Sequence, residues 1–136
     1  EGAYACLEVV HSTWADYRFT LEQNTADGSS AAQVVLGPRL RTDSLDAVEV
    51  ELSVDGRPAG RGRGSDAAGH PADAVVWLLA SLAPEGLGLQ RGDVVITGGL
   101  TAAAPLQPGS VISASFQGPG LDQPERVTVR RAGIAG

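Results

Sequence analysis

The chain has 136 residues, enough for one modest domain around one hydrophobic core. Hydrophobic residues make up 43% and charged residues 19%, a globular balance that excludes a disordered chain. The net charge is −6 and all 10 basic residues are arginine, which excludes a basic stripe for nucleic acid and any lysine-based Schiff chemistry.

Only 4% of the residues are aromatic, so the core must be built from Val, Leu, Ile and Ala. The 18 glycines and 8 prolines imply many turns and short strands. The single cysteine, Cys6, has no intrachain partner, which fits a reducing, cytoplasmic compartment. No apolar stretch reaches the roughly 20 residues of a membrane span, and no membrane partner is expected. The longest apolar run, Ala74 to Ala83, contains Ser81 and ends at Pro84. There is no signal-peptide pattern, and the chain opens at Glu1 without any methionine, as if an upstream portion had been removed or not included.

Along the chain, Tyr4 to Val10 reads as a strand with Cys6, Glu8 and Val10 on one face and Ala5, Leu7 and Val9 on the other. Tyr17 to Leu21 is predicted as a second strand, followed by a polar loop from Asn24 to Ser30. A short apolar run, Gln33 to Leu36, ends at Gly37-Pro38. Alternation is clearest from Val48 to Val54, and Asp55-Gly56 then supplies a tight hairpin turn. The return strand runs through Ala59 to Gly64 with Arg61 and Arg63 on one face. Pro71 suits the first position of a helix in which Ala74, Val75, Leu78, Leu79 and Leu82 recur at helical spacing, and Pro84 and Gly86 stop it. Val94 to Thr97, Val111 to Phe116 and Arg126 to Arg130 complete the predicted strands, with an exposed loop from Pro119 to Glu125. The reading is one β-rich α+β unit over residues 1–136, without repeat or linker.

Four segments carry a family resemblance. They are Ala5-Cys6-Leu7-Glu8-Val9-Val10 with Ser12, then Ala26-Asp27-Gly28-Ser29-Ser30-Ala31 ahead of Val35-Leu36-Gly37. Next come Gly69-His70-Pro71 with Ala74-Val75 and Trp77-Leu78, and Gly92 through Ala103 followed by Pro108-Gly109. In this order and spacing they resemble the hydratase and decarboxylase branch of the fumarylacetoacetate hydrolase superfamily, over nearly the whole chain. The stretch Gly92-Asp93-Val94-Val95-Ile96-Thr97-Gly98-Gly99-Leu100-Thr101 is the most specific.

The resemblance implies a mixed β-roll of the C-terminal type, here the C-terminal part of a catalytic domain. It implies Mg²⁺ or Mn²⁺ on three carboxylates: a Glu-x-Glu pair from a strand before this region, and Glu8. Hard oxygen ligands suit such an ion. The ion would chelate a small-molecule 2-oxo acid and act as a Lewis acid on its keto oxygen. The implied reaction is hydration of a 2-hydroxydienoate or 2-oxo-enoate, of the 2-keto-4-pentenoate hydratase type used in aromatic meta-cleavage catabolism. A decarboxylase of the 4-oxalocrotonate type is the nearest alternative, and a non-catalytic remnant serving oligomer assembly is the third. Ser29 and Ser30 fall in the family's polar active-site loop, and Leu100 and Thr101 in a loop that faces the substrate. A homo-oligomer, or completion by an N-terminal segment, would be needed for a whole site.

Each residue also has a plainer reading. Alternation alone makes Glu8 a strand residue facing water. Ser29 and Ser30 suit an ordinary serine turn, and Thr101 suits a cap on a glycine-rich turn. Glu49 and Glu51 form a Glu-x-Glu pair, but on a solvated face and after Glu8, so they are read as surface residues. His70 is read as an N-terminal cap. His11 and Thr13 depart from an acid and an arginine common in the family, and Gly28 from an asparagine; the His11 and Thr13 changes, the missing carboxylate pair and the absence of lysine support the remnant alternative. Gly60-Arg61-Gly62-Arg63-Gly64 lacks the following helix and Gly-Lys of a phosphate loop. Cys6 is read as a packing thiol.

Overall fold

The alternating segment and its turn form the first half of the main sheet. In the computed structural model, which describes residues 2–133, β3 (Glu49–Val54) and β4 (Arg57–Arg63) pair antiparallel with Val54 opposite Arg57. Asp55 and Gly56 both take positive φ, 49° and 78°, which a two-residue hairpin turn requires if its twist is to match the strands. β5 (Val111–Gln117) joins the other side of β3, and β6 (Glu125–Arg130) pairs with β5. The sheet order is β4-β3-β5-β6. Its register sets Val50 opposite Phe116, Leu52 opposite Ala114, and Ala114 opposite Val127, so one face is apolar and buried. The outer face is polar: Ser113 and Thr128 share a hydroxyl hydrogen bond of 2.8 Å, and Arg61 pairs with Glu51 at 2.7 Å. That ion pair is largely in water and contributes less than about 1 kcal/mol.

A separate two-stranded ribbon is made by β1 (Tyr4–Val10) and β2 (Ala31–Arg39). It packs against β6 and inserts Ala5, fully buried, into the same core. Gly37 permits the close crossing, because a Cβ there would stand 2.7 Å from Cβ of Val127. All four pairings between described strands are antiparallel. The architecture is a small α+β fold with two sheets and one main helix.

Two expected strands are replaced. Between β1 and β2, Asp16 and Tyr17 have positive φ, which breaks an extended chain, and Leu21–Ala26 forms a short helix, α1. Thr20 caps it in a box with Gln23, whose side chain returns to the Thr20 N–H at 2.9 Å. The expected polar loop at Asn24 to Ser30 is therefore the end of α1 and a turn over Gly28–Ser30. Val94 to Thr97 forms no strand either. It lies between Gly92 and Gly98 at positive φ and has no partner strand among the described residues to satisfy its backbone groups.

The expected helix is α2 (Pro71–Leu82), with His70 as its cap: Nδ1 accepts the Ala72 N–H at 3.1 Å. No residue of α2 is buried, and Val76 and Trp77 remain 64% and 70% exposed. Apolar area of that kind drives association. The chain is expected to sediment as concentration-dependent oligomers, and Trp77→Gln to shift it toward monomer. A monomer at all concentrations in wild type would remove this expectation. No described helix is long and apolar enough to cross a membrane.

Candidate functional site around Glu8 and the serine turn

Glu8 sits mid-strand in β1, opposite Val34 of β2. Cys6 and Val10 flank it on the same face, and Leu36 lies across from Cys6. Glu8 is exposed, and it takes no part in the Arg61–Glu51 pair, the one ion pair among the described residues. This outward face is apolar around a single carboxylate, with Val34 and Leu36 also exposed. Burial raises the pKa of the half-buried Cys6 thiol, and the Glu8 charge raises it further. Cys6 therefore stays protonated near neutral pH and is a weak nucleophile.

Beyond Val10 the chain leaves the ribbon and returns through Gly28–Ser30. The His11 N–H donates to the Ser30 carbonyl at 2.8 Å, extending the ladder by one step. Ser30 is thus about 10 Å from Glu8 along the strands at ordinary strand rise. Ser30 is buried and its Oγ lies 3.4 Å from Oδ2 of Asp27, whereas Ser29 is exposed. Of the two predicted serines, Ser29 is the one whose side chain is open to a ligand, and Ser30 is committed to holding the turn.

Asp27 was not singled out by sequence reasoning, yet it gathers this region. Its carboxylate accepts from Ser12 Oγ (3.2 Å), Thr13 N (3.3 Å) and Thr13 Oγ1 (2.9 Å), besides Ser30. The Thr13 hydroxyl is the largest cause that holds its pKa below the ordinary aspartate value. A lowered carboxyl pKa contributes order above the usual aspartate range, and that contribution is lost as pH falls through the lowered value.

Leu100 and Thr101 are half-buried and lie over β4. A Cβ on Gly60 would stand 3.3 Å from Cβ of Thr101, and one on Gly62 would overlap the Leu100 carbonyl oxygen at 1.7 Å. The Gly60-x-Gly62 face is therefore a track for this backbone, while Arg61 and Arg63 point to water. β4 and β6 are opposite edges of the sheet, so the strand order sets Thr101 and the Glu8 ribbon on different sides of the core. Glu8, Ser29 and Ser30 share one ribbon; Leu100 and Thr101 do not belong to it.

Glu49 and Glu51 point to the solvated face, as expected, with Glu51 on Arg61. Among the described residues, no group of three or more His, Cys, Asp or Glu side chains is placed to hold a metal ion. Glu8 offers one hard oxygen donor on an accessible face, which fits a share of a divalent site but does not make one.

Comparison with known proteins follows the same outline. Residues 1–125 match the family model described as "Fumarylacetoacetate (FAA) hydrolase C-terminal". The chain is 35% identical over 124 residues to the 2-hydroxyhexa-2,4-dienoate hydratase of Comamonas testosteroni, covering 88% of this chain and 47% of that protein. It is 31% identical over 115 residues to the 4-oxalocrotonate decarboxylase of Pseudomonas sp. (strain CF600), covering 82% of this chain and 44% of that one. Among solved structures, the 4-oxalocrotonate decarboxylase from Pseudomonas putida G7 complexed with magnesium and adipate superposes with a TM-score of 0.83 at 29% identity, over 94% of this chain and 48% of that chain. The chain thus spans about half the length of the curated relatives it matches. The matched span, the shared fold and hydratases and decarboxylases alike as relatives place this chain in the fumarylacetoacetate hydrolase C-terminal family.

Proposed function

We propose that this chain is the C-terminal part of a metal-dependent hydro-lyase domain, adding water to a 2-hydroxydienoate or 2-oxo-enoate of aromatic meta-cleavage catabolism. The observation that carries this is the Glu8 carboxylate, in no ion pair among the described residues, on an open apolar ribbon that also bears the Ser29 turn. On this reading Glu8 donates one oxygen to Mg²⁺ or Mn²⁺, and two further carboxylates come from outside residues 1–136. The relative solved with magnesium and adipate supports a divalent ion beside a dicarboxylate. When bound, the ion supplies Lewis acidity to a chelated 2-oxo carboxylate.

The chain's own residues do the rest. Beside Glu8, the exposed Val34 and Leu36 offer apolar contact to a bound substrate. Ser29 Oγ can donate to a substrate oxygen or accept from an added water. Leu100 and Thr101 lie over the opposite edge of the sheet, so on this reading they reach a substrate at Glu8 only from another subunit. A homo-oligomer in the cytoplasm completes the reading. Decarboxylation of a 2-oxo-3-enedioate remains the second reading, favoured by the decarboxylase relatives.

In the active assembly, Glu8→Gln is expected to weaken Mn²⁺ binding at least about tenfold, since even loss of a residue that only supports a ligand costs that much. Titration of free Mn²⁺ by electron paramagnetic resonance reads this directly. Unchanged affinity would remove Glu8 from the ligand set. Supplying a 2-hydroxydienoate and a 2-oxo-3-enedioate, and following water addition against carbon dioxide release, decides between the two reactions. Turnover of neither would favour a non-catalytic remnant.

A further inference from the structure

We propose that Asp27 is a positioning residue: it clamps the Ser29–Ser30 turn to the chain leaving β1 and so fixes where the Ser29 hydroxyl points. This rests on the reading of Ser29 as a substrate contact, and it assigns a role to a residue outside that reading.

The backbone at this turn is unusual. Gly28, Ser29 and Ser30 have φ of 64°, 58° and 60°, so three consecutive residues are left-handed. Glycine adopts that region freely, but serine does so at a cost, and such residues normally occur singly. Two left-handed serines in succession persist only where surrounding contacts over-determine them. Very little of the apolar core reaches them: Ser29 is exposed, and Ser30 is buried beside polar groups.

What holds the turn is a set of hydrogen bonds that converge from two sides. Ser12 and Thr13, on the outgoing chain, donate to Asp27 through both hydroxyls and the Thr13 N–H. Ser30, on the returning chain, donates its hydroxyl to Oδ2 of the same carboxylate. The His11 N–H then ties the Ser30 carbonyl to β1. The Ser12 hydroxyl also accepts the Trp14 N–H at 3.1 Å, which fixes the donor itself. The excursion from His11 to Ser30 is thereby closed at its base by one side chain. Hydrogen bonds to an ionised acceptor are the stronger kind, and an aspartate with more than one donor on it stays charged.

Asp27 already accepts from Ser12, Thr13 and Ser30, so its part in the site is to hold the turn. It acts through Ser29, two residues on. An error of about 1 Å in a group that orients substrate can cost up to about a hundredfold in rate.

The test begins with the ¹⁵N-labelled chain itself. Asp27→Ala is expected to shift the amide signals of Gly28, Ser29 and Ser30 while those of β3 and β5 stay in place. Asp27→Asn keeps one carbonyl acceptor and is expected to restore part of the wild-type positions. Thr13→Val leaves Asp27 intact, removes one donor, and is expected to move the same signals in the same direction. Coincidence of the Ser29 and Ser30 signals in wild type and both Asp27→Ala and Thr13→Val overturns the clamp. In the active assembly, KM for the 2-oxo acid is expected to rise about tenfold in Thr13→Val with Mn²⁺ affinity unchanged. A displaced turn with unaltered KM overturns the positioning role and leaves the hydro-lyase reading standing. Absence of turnover in wild type sinks that reading alone, because the amide signals decide the clamp without it.

Discussion

Gly62→Ala is expected to destabilise the fold by about 3 kcal/mol and to lower the melting midpoint by on the order of 10 °C. The new methyl would fall 1.7 Å from the Leu100 carbonyl oxygen and 2.7 Å from its carbon. Both atoms belong to backbone, so no rotamer change relieves the overlap. Either the segment through Thr101 lifts off β4 or the edge strand bends away from β3. Gly60→Ala is the matched control. Its methyl would stand 3.3 Å from the Thr101 side chain, which can give, and the expected cost is below about 1 kcal/mol. Neither glycine has a positive φ, so the comparison isolates steric overlap from backbone preference. Thermal melts of both variants, followed by circular dichroism, read the difference. Equal midpoints for the two would mean that the Leu100 segment does not rest on this strand.

Phe116→Ala is expected to cost about 4 kcal/mol, a large share of a total stability of about 5–15 kcal/mol. Phe116 is 7% exposed, lies opposite Val50, and belongs to the same cluster as Ile112, Ala114 and Val127. Its neighbours are mostly aliphatic or small, and a chain with 2 phenylalanines has few large side chains to collapse into the space. The other phenylalanine, Phe19, is exposed at 36% outside any strand, and Phe19→Ala is expected to cost less than about 1 kcal/mol. Urea unfolding should show the Phe116 midpoint falling with little change in slope. A loss for Phe19 equal to that for Phe116 would place the core elsewhere.

The parts of the fold legible in the sequence are those whose local pattern and tertiary role agree. Val48 to Val54 alternates because one face meets β5 and the other meets water, and Asp55-Gly56 has the chemistry its turn needs. Pro71 marked the first residue of α2, and Pro84, read as its stop, lies just past its end at Leu82. Val94 to Thr97 has β-branched residues but no partner strand among the described residues, and strand propensity without a neighbour forms nothing. α1 was missed although Thr20-x-x-Gln23 carries a capping-box signal, because the aromatic run before it pulled the reading toward a strand. At the site, the resemblance pointed to Glu8 and the serine turn. Asp27 lay inside a quoted motif, but besides nearby Ser30 its donors Ser12 and Thr13 are 15 and 14 residues away, and no local pattern displays such bonds.

The central strand of the main sheet has a bearing on how this chain comes into being. β5 sits between β3 and β6, and its pairing with β3 sets Glu49 against Gln117. A ribosome making this protein finishes the β3–β4 hairpin at Arg63 and must then add roughly 50 more residues, at about 5–20 per second, before β5 is complete at Gln117. For about 3–10 s the apolar side of a finished hairpin lacks this neighbour, and closing so long a span is slow in its own right.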